Sequence, residues 1–260
     1  MTAAATFLRP TSGMSRARPN NMEHSPADFS LEYEPAPASR TDKGVGSGPW
    51  LGVPFDLRCC DCMDLMRGFP DKYFDLAIVA PPYGIGRDGS ARTTSSHGGR
   101  KAHAFKGWDE KPPGADYFCE LYRVSKDQII WGANYYPGHL PSSMGWIFWD
   151  KGQRICNSDG ELAFSSFDRA LRVIEMNRVE LLKEGTIHPT QKPVKLYTWL
   201  LENYAKPGMK LLDTHLGSGS HAIAAHYFGA HLTACEIDPD YYAAAMARIK
   251  RETAQTTLFT

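Results

Sequence analysis

The sequence has no excess of charge of either sign. Its 260 residues include 29 Lys and Arg and 29 Asp and Glu, and the sequence pI is about 7.1. A chain with this balance has no overall field that attracts nucleic acid or a membrane surface. Any affinity for nucleic acid therefore has to come from a local patch of basic residues.

Long apolar runs and a second cysteine cluster are also missing. No run approaches the about 20 residues that span a membrane, and the N-terminus lacks the apolar core of a signal peptide. Six cysteines are present, and Cys59, Cys60 and Cys62 lie close together, but no second group stands at a zinc-ligand spacing. We therefore expect a soluble, cytoplasmic protein with reduced thiols and no metal site.

The composition divides the chain into two parts. Residues 1–45 are rich in Pro, Ser, Arg, Asn and Ala without periodicity, which is typical of a flexible extension. Residues 46–260 alternate strand and helix patterns and are sufficient for one α/β domain. Within them, residues 128–132, 145–149, 161–167 and 170–175 have the pattern of strands.

One strand pattern ends in two consecutive prolines. Residues 76–80 predict a short buried strand, and Pro81 and Pro82 end it because neither can donate to a strand ladder. The carbonyl of Pro81 then has no obvious local partner, and Tyr83 offers an aromatic face beside it. This arrangement suits a planar heterocycle held by an exocyclic amine. A strand-ending turn with Tyr83 as ordinary packing explains the same residues.

A second site follows a later strand. Residues 210–213 predict a strand that ends in a carboxylate, and a glycine-containing loop and a helix come next. After about 20 residues another strand ends at Glu236, which is placed to bind the two hydroxyls of a ribose. No third glycine stands where a pyrophosphate fingerprint needs it, so a dinucleotide site is disfavoured.

Between these sites lie a basic loop and a polar helix start. The loop after Gly86 is rich in Gly and Ser, and its basic residues suit phosphate contacts or simple solvation; they are Arg87, Arg92, Arg100, Lys101 and Lys106. Residues 188–193 open a helix, where Lys192 can pair with a carboxylate. Trp131, Trp146 and Trp149 fit core positions better than base-stacking platforms.

The motifs together resemble the S-adenosylmethionine-dependent amino-methyltransferases. Residues 80–83, Ala-Pro-Pro-Tyr, are similar to the family's motif IV, usually Asp-Pro-Pro-Tyr or Ser-Pro-Pro-Tyr. Residues 213–220 are similar to motif I and residues 188–193 to motif X. The order of the motifs, with the target motif before the cofactor loop, resembles the circularly permuted β-class.

The resemblance implies a fold, a reaction and a set of residues. The expected fold is a doubly wound, mostly parallel seven-stranded sheet with a target-recognition region at about 86–187 and a cofactor half at about 188–251. The expected reaction is direct methyl transfer from S-adenosylmethionine to a flipped base in double-stranded DNA, leaving S-adenosylhomocysteine. A bacterial or phage origin and a homodimer are expected by analogy. The implied cofactor residues are Asp61, Cys62, His188, Thr190, Gln191, Lys192, Asp213, Leu216, Gly217, Ser218, Gly219, Ser220, Glu236 and Ile237. Asp61 is equally suited to be a helix N-cap.

The chain departs from motif IV at its first position. In the family that side chain and the next carbonyl accept hydrogen bonds from the target amine, whereas Ala80 has no acceptor. We expect impaired catalysis by the group formed by Ala80, Pro81, Pro82 and Tyr83, with binding retained. Adenine N6 is the favoured target, because Asp is the residue most often replaced by Ala to inactivate such an enzyme. The alternatives are cytosine N4, an RNA or protein amide, and a non-catalytic DNA-binding module.

Overall fold

The computed structural model describes residues 49–50, 53–89, 102–152, 158–177 and 184–254. All of the described residues belong to one compact unit. The prediction for residues 1–45 therefore lies outside the described residues, as do those for Arg92, Arg100 and Lys101. In the described part of the chain, no helix combines the length and apolarity needed to cross a membrane.

The described residues form nine strands and five α-helices. The strands are β1 (Pro49–Trp50), β2 (Val53–Cys59), β3 (Phe74–Val79), β4 (Ser125–Trp131), β5 (Ile147–Asp150), β6 (Gly160–Ser165), β7 (Arg172–Glu175), β8 (Lys210–Asp213) and β9 (His231–Glu236). The helices are α1 (Cys62–Arg67), α2 (Ala115–Val124), α3 (Val194–Tyr204), α4 (Ser220–Phe228) and α5 (Pro239–Thr253). Two short 3-10 turns, Ala133–Tyr135 and Pro137–His139, follow β4.

The strands form one sheet in the order β1-β2-β9-β8-β3-β4-β6-β5-β7. The five strands from β2 to β4 are mutually parallel, whereas β6 is antiparallel to both β4 and β5. The predicted α/β class is confirmed. The described sheet has nine strands instead of seven, because β1 pairs with the start of β2 and residues 147–175 supply three strands beyond β4.

The order in which the chain adds strands to the sheet reverses between β8 and β3. From β8 the chain continues through α4 to β9 on one side, and from β3 through α2 to β4 on the other. The two strands are hydrogen-bonded neighbours, with Leu76 opposite Leu211 and Ala77 opposite Leu212. In open α/β sheets, ligands bind beyond the carboxyl ends of strands at such a switch point.

Two apolar layers cover the faces of the sheet. Along β3, Leu76 and Ile78 belong to the layer formed with α3, α4 and α5, and Ala77 and Val79 to the layer formed with α1 and α2. This alternation follows from the two-residue period of a strand buried on both faces. Trp131 and Trp149 are fully buried in the first layer, so the core interpretation of these two tryptophans is confirmed.

Candidate functional site: a cavity at the switch point

A cavity of about 310 Å³ lies at the switch point. The turn after β3, residues 80–86, is here called the target turn, and the turn after β8, residues 214–219, the glycine loop. Both contribute to the cavity wall: Ala80 and Pro82 from the first, and Leu216 and Gly217 from the second. Two segments that are far apart in sequence therefore meet at one cavity, as the strand pairing requires.

The carbonyl groups of the target turn have a partner that the sequence did not reveal. The hydroxyl of Tyr136 lies 2.9 Å from the carbonyl oxygens of both Pro81 and Pro82, so its proton can be donated to either. The Pro81 carbonyl, which has no obvious local partner in the sequence, therefore has a partner 55 residues further along the chain. Each carbonyl oxygen has two lone pairs, so the capacity to accept a second hydrogen bond remains.

Tyr83 is held on several sides. Its hydroxyl donates to Glu161 Oε2 at 3.1 Å and accepts from Lys192 Nζ at 3.1 Å. Its ring stacks on Tyr135, with 5.1 Å between ring centroids and 16° between planes. A Cβ at position 132 would overlap the Tyr83 ring, so Gly132 is required at this contact. The ring whose face was predicted to suit a planar heterocycle is thus already packed against aromatic neighbours.

A buried ion cluster lies beside Tyr83. Glu161 accepts from Lys151 at 2.8 Å and from Lys192 at 3.1 Å. Burial alone would raise the pKa of Glu161, but the two ammonium groups lower it to about 2. The cluster therefore contains one carboxylate and two ammonium groups, and its formal charge is positive next to the cavity that Lys192 lines.

The glycine loop is held by Glu236 at the end of β9. One carboxylate oxygen accepts from the Gly217 amide at 2.9 Å and the other from the Asp238 amide at 3.0 Å. Burial raises the pKa of Glu236, while these two amides oppose the shift. A carboxylate offers about four lone-pair positions. The two backbone bonds leave capacity for two further donors, as a ribose diol would supply.

Asp213 is the last residue of β8 and Gly219 the last residue of the glycine loop, and neither lines the cavity. The Asp213 carboxylate accepts from the His215 amide at 3.0 Å and lies 3.1 Å from His221 Nδ1. Gly219 has φ +76°, and a Cβ there would stand 2.8 Å from Ile249. These residues shape the loop and start α4, so the predicted cofactor role of both is indirect in this geometry.

The other implied cofactor residues line the cavity together. They are Asp61, Cys62, His188, Thr190, Gln191, Lys192, Leu216, Gly217, Ser218, Ser220, Glu236 and Ile237. Asp61 also caps α1 by accepting from the Met63 amide at 2.7 Å. The two alternatives for Asp61 are therefore compatible in one position.

Only two of the basic residues proposed for phosphate contact lie in the described chain. Arg87 is exposed, and its backbone amide donates to Asp109 at 2.7 Å. Lys106 pairs with Asp238 at 2.6 Å and with Asp240 at 2.8 Å. In this conformation, phosphate would have to compete with two carboxylates for Lys106.

Several site residues were not singled out from the sequence. Trp108 lines the cavity, Tyr136 and Glu161 hold the target turn and its tyrosine, and Asp109 binds the Gly84 amide at 2.8 Å. Each lies more than 20 residues along the chain from the residue that it contacts in the site, so no local pattern links the two. The only available signal was an acidic residue beside tryptophan, Trp108-Asp109, in an otherwise glycine-rich and basic stretch.

Two histidines in the wall are buried and neutral. Burial lowers the pKa of His188 to about 3 and that of His215 to about 4. Both values lie below the unfolded pKa of about 6.5, so the unfolded chain binds more protons as the pH falls. The stability that the two neutral histidines contribute is therefore fully present above pH 6.5, and it is lost as the pH falls from there towards their pKa values in the folded protein.

We expect acidification from pH 7 to pH 5 to lower the free energy of unfolding by about 2 kcal/mol for each of these histidines. Urea unfolding at the two pH values measures the change. His215→Asn, which retains an acceptor near Thr214, should remove about half of the dependence that the two histidines cause. An unchanged dependence in His215→Asn would contradict neutral burial of His215.

The cavity has the donor and acceptor groups that S-adenosylmethionine requires. Glu236 stands at one part of the wall with unused acceptor capacity, and Lys192 and its positive cluster at another. Between them the wall is mainly apolar, as small-molecule sites generally are, and the volume lies in their usual range. The residues present therefore fit this cofactor.

Part of the chain matches a known protein family, and the fold is shared with solved structures. Residues 142–247 match the DNA methylase family of N6/N4 amino-methyltransferases. YubD of Escherichia coli (strain K12), a methylase by name, is 23% identical over 219 residues, which cover 73% of this chain and 87% of YubD.

Two solved structures are similar at low sequence identity. The M1.HpyAVI complex with S-adenosylmethionine has a TM-score of 0.51 and 14% identity, over 75% of this chain and 99% of that one. The cytosine-N4-specific PvuII DNA methyltransferase has a TM-score of 0.51 and 11% identity, over 77% and 91%. Together, the family match over residues 142–247, the shared methyltransferase fold and the cavity support an S-adenosylmethionine-dependent amino-methyltransferase.

Proposed function

We propose that this chain is a site-specific DNA methyltransferase that acts on the exocyclic N6 of adenine in a flipped-out base. The meeting of the target turn and the glycine loop at one cavity carries the proposal, because a methyl donor and its acceptor must be in contact. A base inside a duplex cannot reach such a cavity. Flipping it out costs a few kcal/mol of lost pairing and stacking.

The wall residues divide according to the parts of the cofactor. Glu236 would accept from the ribose hydroxyls, with Asp61 and Ile237 beside the adenine. Lys192 would bind the methionine carboxylate, with His188 and Thr190 around the same end. S-adenosylmethionine, when bound, supplies an activated methyl group on a sulfonium centre. The polypeptide then has to bind, orient and exclude water.

The target base would be oriented by the target turn. The Pro81 carbonyl would accept one amine proton, and Tyr83 would support the plane of the base. Tyr136 prevents movement of the Pro-Pro segment by its hydrogen bond to the carbonyl oxygens. Tyr135 covers part of the Tyr83 ring. A base can therefore stack on Tyr83 only beside Tyr135 or after displacing it.

Ala80 makes the proposed reaction slow. It lines the cavity directly after β3 but has only a methyl group to present to the amine. An acceptor there would contribute a charge-assisted hydrogen bond of roughly 1.5–3 kcal/mol, and more in a dry site. Binding of cofactor and DNA does not use this group, so we expect both to persist.

Methylation of cytosine N4 is the second candidate. The similarity to a cytosine-N4-specific methyltransferase supports it, since both targets present an exocyclic amine on a planar ring. Adenine remains the first choice because Asp, the acceptor expected at position 80 in an active form, is the residue most often replaced by Ala in such enzymes. Dimerisation remains a prediction by analogy.

The methylated nucleoside distinguishes the candidates. We expect unmethylated genomic DNA treated with the Ala80→Asp variant and S-adenosylmethionine to contain N6-methyladenine after digestion to nucleosides, as measured by mass spectrometry. N4-methylcytosine would replace the adenine proposal by the second candidate. No methylated nucleoside from either form, together with DNA binding independent of cofactor, would indicate a non-catalytic DNA-binding module.

A further inference from the structure

Residues 102–110, here called the strap, touch both halves of the site. At one end, the Asp109 carboxylate accepts from the amides of Gly84 and Arg87 at 2.8 and 2.7 Å, and its carbonyl accepts from the Gly86 amide. At the other end, Lys106 reaches the N-terminus of α5. Thus the strap is bound to the target turn and to the segment that follows Glu236.

The contact of Lys106 with α5 is multiple. Its ammonium lies 2.7 and 2.6 Å from the two carboxylate oxygens of Asp238, 2.8 Å from Asp240 Oδ2 and 4.6 Å from the centre of the Tyr241 ring. The carboxylates raise the pKa of Lys106, Asp238 most strongly. Asp88 also accepts from the backbone amides of Lys106 and Gly107. Both the side chain and the backbone at this position are therefore fixed.

Trp108 follows Lys106 by two residues and lines the cavity. Its ring stacks on His188 with 5.3 Å between centroids, and His188 in turn meets the edge of Tyr241 at 4.5 Å. Lys106, Tyr241, His188 and Trp108 therefore form a continuous set of contacts along the wall. The indole Nε1 of Trp108 is buried and has no hydrogen-bond partner among the residues that the structure describes.

We propose that Trp108 belongs to the S-adenosylmethionine site and that Lys106 is the positioning residue that holds it there. The inference rests on the proposed placement of the cofactor in this cavity. It assigns Lys106 a role on the cofactor side in place of a phosphate contact. Because Asp109 holds the target turn, it also makes the strap a direct connection between cofactor and target positions.

The test measures the binding of S-adenosylhomocysteine to the full chain by calorimetry and by tryptophan fluorescence. We expect saturation to change the fluorescence of the unchanged chain and Trp108→Phe to lose most of that change. Lys106→Met should weaken affinity about threefold to tenfold, and Lys106→Arg should recover most of it. Lys126→Met is the matched control, because Lys126 also pairs with a carboxylate, that of Asp75, at 2.7 Å. This pair lies at the beginnings of β3 and β4, away from the cavity at the other end of the strands.

The outcomes separate the inference from the function on which it rests. If the unchanged chain binds the ligand but Lys106→Met and Trp108→Phe behave like the control, the strap has no role in the site. Loss of DNA affinity in Lys106→Met at unchanged ligand affinity would overturn the inference in favour of phosphate contact. Failure of the unchanged chain to bind S-adenosylhomocysteine would overturn the cofactor site itself. Matching circular dichroism spectra establish that each variant is folded.

Discussion

The Ala80→Asp variant is expected to transfer methyl groups to DNA about tenfold to a thousandfold faster than the chain with alanine. Position 80 follows the last residue of β3 and lines the cavity, so a carboxylate there faces the space shared by cofactor and target. It would accept a hydrogen bond from the N–H of the target amine and stabilise the positive charge that develops on that nitrogen. The Pro81 carbonyl, already bonded to Tyr136, supplies only one weaker acceptor.

Single-turnover transfer of labelled methyl groups to unmethylated genomic DNA measures this gain. Ala80→Asn adds an acceptor without charge and should give an intermediate rate, whereas Ala80→Val adds volume without an acceptor and should give none. S-adenosylhomocysteine affinity should differ little among the three variants, which separates chemistry from binding. Equal rates for Ala80→Asp and the unchanged chain would contradict the proposal that Ala80 slows methyl transfer.

Substitution of Glu236 by Gln is expected to weaken S-adenosylhomocysteine binding by about tenfold to a hundredfold. The carboxylate already accepts from the amides of Gly217 and Asp238, one with each oxygen. A glutamine keeps one acceptor oxygen and turns an NH2 group towards the other amide, so one backbone bond is lost. It also loses acceptor capacity for one ribose hydroxyl.

Calorimetric titration with S-adenosylhomocysteine measures the loss, and thermal unfolding without ligand shows how much comes from the loop alone. Glu202→Gln is the matched control, because Glu202 is exposed on α3 and should leave affinity unchanged. Glu236→Asp keeps the charge with a shorter side chain and should fall between the two. Affinity in Glu236→Gln equal to that of the control would show that Glu236 does not face the ligand.

The elements of the fold were largely predictable from local pattern. The helix predicted to follow residues 188–193 occurs at Val194–Tyr204, and the predicted start of a strand at Lys210 is found. The strand predicted at 161–167 occurs instead at Gly160–Ser165, and its register with β4 ends where Ser165 lies opposite Ile129. Ends of strands depend on neighbouring strands, which the local pattern does not contain.

The roles of the polar side chains in the site were less predictable. Glu161 has an ordinary position in a strand sequence, yet tertiary packing places it between Lys151, Lys192 and the hydroxyl of Tyr83. Lys106 stands in a basic loop that suggested phosphate, yet it pairs with Asp238. Long side chains choose partners by proximity in space, and the sequence alone contains no distances.

Local sequence features were enough to predict the class of protein: a strand ending in Pro-Pro-Tyr, a glycine loop between a buried strand and a helix, and the order of the two. These features are local, because backbone geometry and short-range hydrogen bonds produce them. The set of groups that share the cavity, in contrast, depends on tertiary packing. Pairing of β3 with β8 brings Ala80 and Gly217 to one wall, and packing of Tyr136 against the Pro-Pro segment restricts its carbonyls. Such contacts depend on how the whole sheet and its helices pack, and no stretch of the chain specifies them alone.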